Sequence, residues 1–222
     1  MKVCTDACLF GGWVTHEIEK STVKIENALD IGAGTGLLSL MLAQKMNVPI
    51  DAVEVDKQAA LQAKENFRAS PWHDRLNIHH SSIQQFVPQN KYDYIISNPP
   101  FFQNSLRSEN ETRNMAKHAT ALSFTTLVDV VYNLLKPSGK FGVLLPYQEF
   151  KGFEEIAGSK NLNLVQLANI QQAPSHSYFR SMAIFVKESI REITRQTIVI
   201  KDEENQYTSE FTKLLKDYYL YL

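Results

Sequence analysis

Short apolar runs alternate along the chain with longer segments in which apolar residues recur every three or four positions. Asn27 to Ile31 has the pattern of a buried strand, and Gly36 to Lys45 (GLLSLMLAQK) carries its apolar residues at helical spacing. Pro49 to Val55 (PIDAVEV) predicts a second strand, and Lys57 to Arg68 (KQAALQAKENFR) predicts a helix built from strong helix formers. Strands are expected at Leu76 to His79 and Tyr92 to Ser97, followed by a helix from Phe124 to Leu135. A further strand restarts at Lys140 to Leu145, after Pro137 and Gly139 in "KPSG" have ended the helix. Glu149 to Ala157 reads as another helix, and Leu162 to Ile170 and Met182 to Val186 as two closing strands with "APSHSYFR" as their hairpin loop. Thr194 to Ile200 adds a strand and Tyr207 to Tyr219 an aromatic-rich helix.

Strands alternating with helices through right-handed crossovers predict an α/β fold, a doubly wound and mostly parallel seven-stranded sheet with an antiparallel closing strand. Residues 1–190 form the main domain, and 191–222 a small strand-helix extension packed on it. In such sheets ligands bind outside the carboxyl ends of the strands. That puts three loops on one rim, after Ile31, after Val55 and after Ser97.

A chain of 222 residues suffices to bury about 70% of its unfolded surface, so one sizeable core is expected. Apolar content of 44% and charged content of 21% exclude disordered and fibrous classes. With 23 Lys plus Arg against 24 Asp plus Glu there is no general field for a polyanion, so a nucleic acid must be met by a local patch. Cys4 and Cys8 form neither a disulfide framework nor a zinc spacing; they are expected as small core residues of a protein in a reducing cytoplasm, with no metal. No apolar stretch reaches the ~18 residues that span a bilayer. Ala7 to Val14 faintly resembles a signal segment, but Asp6 precedes it and Gly11-Gly12 interrupts it, so a soluble, unexported protein is expected, monomeric or weakly self-associating.

"LDIGAGTG", Leu29 to Gly36, places Gly32, Gly34 and Gly36 between a strand and a helix. Without Cβ atoms the backbone can turn tightly there and a ligand can approach main-chain N–H groups. The spacing is not the dinucleotide pattern GxGxxG, whose third position falls on Leu37. Glu54, at the end of the next strand, can accept hydrogen bonds from both hydroxyls of a ribose, while Asp56 suits a helix N-cap. Asp30 either meets a cationic amino group or holds the loop. In "SNPPFF", Pro99 and Pro100 stop the strand in a rigid turn. Asn98 offers a side-chain oxygen and Pro99 a backbone carbonyl to an –NH₂ group, and Phe101 a π-face for a planar base.

The order "ALDIGAGTG", "AVEVD", "SNPPF" resembles the class I S-adenosylmethionine-dependent amino-methyltransferases, with their Asp/Asn/Ser-Pro-Pro-aromatic motif and Rossmann-like fold. "MKVCTDACLFGGW", "SPWHDRLNIHHSSIQQF" and "YTSEFTKLLKDYYL" extend the resemblance over almost the whole chain to the bacterial tRNA1(Val) adenine-37 N6-methyltransferase family. The resemblance implies S-adenosylmethionine as cofactor, a tRNA adenosine beside the anticodon as substrate, and Asn98, Pro99, Pro100 and Phe101 as the catalytic turn. It implies cofactor contacts at Lys2, Val3, Thr5, Asp6, Asp30, Gly32, Gly34, Gly36, Glu54, Ser82, Ile83 and Asn98, Ser82 standing where an acid often meets the adenine. Members usually continue upstream of the matching segment, whereas this chain begins at Met1 inside it, so either a strand and part of the cofactor lid are missing or the start is misassigned. Arg107, Arg113 and Lys117, with His118, could touch RNA from a polar loop diluted by Glu109 and Glu111; a solvated loop is the alternative. His176, Tyr178 and Arg180 are further RNA candidates or else an ordinary surface hairpin. Tyr207, Phe211, Tyr218, Tyr219 and Tyr221 read as a packing face. Other acceptors remain open, a release-factor glutamine N5 or a ribosomal guanine N2, as does a cofactor-binding module without catalysis.

Overall fold

The structure, a computed structural model, describes residues 4–99, 122–190 and 192–221. The chain opens with helix α1 (Thr5–Glu19) and continues through β1 (Ala28–Ile31), α2 (Leu37–Lys45), β2 (Ile50–Glu54), α3 (Lys57–Ala69), β3 (Leu76–His80) and β4 (Tyr92–Ser97). From residue 122 onward come α4 (Phe124–Leu134), β5 (Leu135–Pro146), α5 (Tyr147–Ser159), β6 (Asn163–Gln171), β7 (Tyr178–Val186), β8 (Thr194–Val199) and α6 (Ser209–Leu215). The strands form one sheet in the order β3-β2-β1-β4-β5-β7-β6-β8. Only β7 runs antiparallel to its neighbours, β5 and β6. The seven expected strands are all present, and the eighth, expected in the C-terminal extension, pairs in parallel with β6 as an edge strand.

Two differences from expectation have physical causes. Helix α1 was not foreseen, because Gly11-Gly12 lowers helix propensity in its middle. Tertiary packing compels those glycines: a Cβ on Gly11 would lie 2.5 Å from the Met41 sulfur, and one on Gly12 2.5 Å from the Leu214 carbonyl oxygen. Burial of Leu9, Phe10, Trp13 and Val14 outweighs the propensity cost. Strand β5, expected to restart at Lys140, begins at Leu135, directly after α4. Its pairing jumps from Tyr92↔Leu135 to Tyr94↔Lys140, so "KPSG" is carried within the strand as an irregularity.

The two faces of the sheet carry separate apolar clusters. Helices α1, α2 and α6 cover one through Trp13, Leu42 and Phe211, while α4 and α5 cover the other through Val128 and Phe153. No described helix is long and apolar enough to cross a membrane. Thr208 joins α6 to the sheet: its hydroxyl donates to the Val199 carbonyl at 2.6 Å and accepts the Phe211 N–H at 3.2 Å as N-cap. Thr208→Ala is therefore expected to lower stability by about 1–2 kcal/mol, read as a shifted urea midpoint at unchanged slope.

Candidate active site

The carboxyl ends of β1 to β4 open onto a cleft of about 410 Å3, within the range of roughly 300–1,000 Å3 for small-molecule sites. Gly32 and Gly34 line one wall, Glu54 the base of another, and Ser82, Ile83, Asn98 and Pro99 complete it. These residues come from four separate strand ends, which is why the topology is needed to unite them.

The glycine loop is wired to β2. Gly32 and Ala33 donate their N–H groups to the Val53 carbonyl at 2.9 and 3.2 Å. Gly32 and Gly34 have φ of 73° and 57°, a left-handed conformation that side chains oppose. A Cβ on Gly32 would meet nothing within 4 Å, so this position opens onto the cleft. Gly36 differs. At φ 85° it precedes α2, and a Cβ there would collide with the Phe67 ring, so it lets α2 approach α3 and does not line the cleft.

Glu54 is 8% exposed, and both of its oxygens are engaged by backbone. Oε2 accepts the Gly34 N–H at 2.7 Å and Oε1 the Asp56 N–H at 2.8 Å. Each oxygen retains capacity for a second donor. Asp56 caps α3, its Oδ1 accepting the Ala59 N–H at 2.8 Å.

Asp30 is wholly buried and turns to α2, where Oδ2 accepts the Ser39 N–H at 3.1 Å and the Ser39 hydroxyl at 2.7 Å. Of the two sequence readings, holding the loop is the one these contacts match. Its Oδ1 is buried without a hydrogen bond. Burial pushes the carboxyl up to about 7, the two Ser39 bonds pull it down and the Glu54 charge adds to the rise. From the ordinary value of 3.8 up to about 7 the folded protein thus holds a proton that the unfolded chain has released. Stability is expected to decline as pH rises through that window. Asp30→Asn should remove this contribution, so that the wild type loses ground to the variant between pH 4 and 7 in denaturant midpoints.

The turn after β4 is pinned beside the glycine loop. Ser97 pairs with Ile31 in register, and its buried hydroxyl donates to the Ile31 carbonyl at 2.9 Å. The half-buried Asn98 and the buried Pro99 follow at the cleft. Pro100 and Phe101 lie outside the described residues, as do Lys2, Val3, Arg107, Arg113 and Lys117.

The N-terminal candidates sit differently from expectation. Thr5 meets the Tyr219 phenol, and Asp6 accepts a hydrogen bond from Arg180 Nε at 2.8 Å, so neither lines the cleft. Cys4 and Ala7 line it instead. Cys4 is exposed, a correction to its expected place in the core, since the chain is only entering α1 there; Cys8, one turn on, is buried. Arg180 is thereby an ion-pair partner of Asp6, while His176 stays exposed on the β6–β7 turn at the same rim. Sequence reading missed Val55, which is 55% exposed beside the cleft. An apolar side chain directly after a strand-end acid was the signal available. Among the described residues there is no grouping of His, Cys, Asp and Glu that could hold a metal.

Comparison with known proteins agrees with this architecture. Residues 15–143 match the family described as Methyltransferase small domain. The chain is 42% identical over 227 residues to a Dyadobacter fermentans protein named tRNA1(Val) (adenine(37)-N6)-methyltransferase, covering 99% of this chain and 91% of that one. Among solved structures, a predicted O-methyltransferase from Agrobacterium tumefaciens superposes with a TM-score of 0.72 at 13% identity, over 95% of both chains. The glycopeptide N-methyltransferase MtfA, crystallised with S-adenosylmethionine, superposes with a TM-score of 0.59 at 10% identity, over 80% of this chain and 94% of that one. Fold, cleft and full-length similarity place the chain in the Methyltransferase small domain family and, within it, in the family of the tRNA1(Val) (adenine(37)-N6)-methyltransferases.

Proposed function

We propose that the protein transfers a methyl group from S-adenosylmethionine to the exocyclic N6 of adenosine 37, beside the anticodon of tRNA1(Val). The observation that carries this reading is the 42% identity, across almost the whole chain, to a relative of that name. The cleft fits such a cofactor. Gly32 leaves space where a side chain would stand, and Glu54 keeps acceptor capacity on both oxygens for the hydroxyls of a ribose. Ser82 and Ile83, at the end of β3, would border the adenine, and Val55 would cover it. When bound, the cofactor supplies an electrophilic methyl on a sulfonium.

Everything else falls to the chain. An exocyclic amine has its lone pair delocalised into the ring and is a poor nucleophile until its hydrogens are held out of that geometry. The Asn98 side-chain oxygen and the Pro99 carbonyl accept those two hydrogens, and Ser97 fixes their distance from the glycine loop through the Ile31 carbonyl. Neither acceptor is basic, so the proton released on methylation passes to solvent. Catalysis rests on orientation and electrostatic preorganisation. We place the enzyme in the cytoplasm, monomeric or weakly self-associating.

Incubation with methyl-labelled cofactor and separate samples of unmodified tRNA, ribosomal RNA and release factor tests the reading. Label in tRNA alone, recovered as N6-methyladenosine, is expected; label in protein or in guanine would sink it.

A further inference from the structure

We infer that Tyr147 and Tyr178 form an aromatic shelf on which the bases flanking the target adenine stack, an inference that rests on the tRNA reading above. The sheet places both rings on the rim that carries Asn98. Ser97 at the end of β4 pairs with Val143 of β5; β5 runs on to Pro146, opposite Arg180 of β7. Tyr147 follows Pro146 immediately, and Tyr178 is the first residue of β7. The shelf therefore lies one and two strands from β4, on the side away from the glycine loop and cofactor cleft. With strands about 4.8 Å apart, it stands roughly 5–10 Å along the rim from Asn98, within reach of a nucleotide adjoining a base held there.

The two rings meet at 5.1 Å with a 43° tilt, and the Tyr178 hydroxyl lies 3.0 Å from the Thr197 hydroxyl, which fixes that ring. Tyr147 is 41% exposed. Neither tyrosine belongs to the apolar clusters. Of their neighbours, Phe150 belongs to one cluster and Phe179 packs against the other. Core packing thus does not account for two aromatic rings at this edge.

The place on the rim beside Asn98 and the tRNA reading give the kind of occupant, nucleotides of the same RNA. A net charge of -1 gives the molecule no general attraction for RNA, so affinity must come from local contacts. Base stacking on an aromatic ring is independent of net charge and tolerant of sequence. Lys151, exposed one helical turn beyond Tyr147 and outside every described ion pair, supplies a cation for an adjoining phosphate.

The test compares Tyr147→Leu, Tyr178→Leu and Tyr147→Phe with the wild type, using unmodified tRNA1(Val) transcript and checking each fold by thermal melting. Leucine keeps apolar bulk and removes the π-face; phenylalanine keeps the face. Each leucine variant is expected to raise KM for tRNA about tenfold, with cofactor Kd unchanged and kcat at saturating tRNA retained. Tyr147→Phe should behave as wild type. Unchanged KM in the leucine variants overturns the shelf while leaving the tRNA reading intact, including the case in which a protein docks there instead. Should the wild type itself fail to methylate the transcript, the tRNA reading falls and the shelf with it.

Discussion

Asn98→Ala is expected to lower kcat by about 10²–10³-fold while leaving cofactor binding nearly as in the wild type. The substitution removes one of two acceptors aimed at the reacting amino group. That contact matters most as the nitrogen leaves conjugation with the ring, so its loss appears in kcat and kcat/KM together more than in KM alone. The backbone is held independently: Pro99 is buried, and the Ser97 hydroxyl remains bonded to the Ile31 carbonyl. The turn should therefore keep its place, and the Pro99 carbonyl should sustain a residual rate. Single-turnover transfer to tRNA, paired with calorimetric titration of S-adenosylhomocysteine, reads both quantities. Unchanged turnover would remove the role given to this side chain.

Glu54→Gln should give the opposite pattern, a cofactor affinity reduced on the order of 100-fold. The carboxylate accepts the N–H groups of Gly34 and Asp56 with separate oxygens, so the amide's NH₂ must face one of those donors. The glycine loop or the start of α3 then loses its anchor, and a nucleoside hydroxyl loses a charged acceptor. Charge-assisted bonds of this kind contribute about 1.5–3 kcal/mol each, so losing one strong bond or two weak ones gives about 100-fold. At saturating cofactor the variant should recover much of its rate, because Asn98 and Pro99 are untouched. Together the two substitutions separate binding from chemistry; if both changed the same parameter, the division of the cleft into a cofactor half and an amino-group half would be wrong.

Periodicity made the alternating units from β1 to β4 legible, and with them Gly32, Gly34, Glu54, Asn98 and Pro99, because each ends a strand and so must reach one rim. What the sequence hid was packing between distant segments. Gly36 reads like its two companions, yet it answers to Phe67 on α3. Gly11-Gly12 reads as a helix breaker, although the pair exists to admit Met41 and the α6 backbone. Thr5 and Asp6 read as cofactor ligands, and their protein partners, Tyr219 and Arg180, were not legible because they lie more than 170 residues away along the chain. The C-terminal helix was expected from Tyr207 to Tyr219 and spans Ser209–Leu215. Thr208 caps its start, and the N–H groups of Tyr218 and Tyr219 both return to the Leu215 carbonyl beyond its end.

The most direct measurement is nucleoside mass spectrometry on tRNA1(Val) transcripts after incubation with the protein and S-adenosylmethionine, one carrying adenosine at position 37 and one guanosine. The account predicts a single N6-methyladenosine, mapped to position 37, in the first transcript and none in the second. Methylation at another position, or equal incorporation into both transcripts, would contradict it.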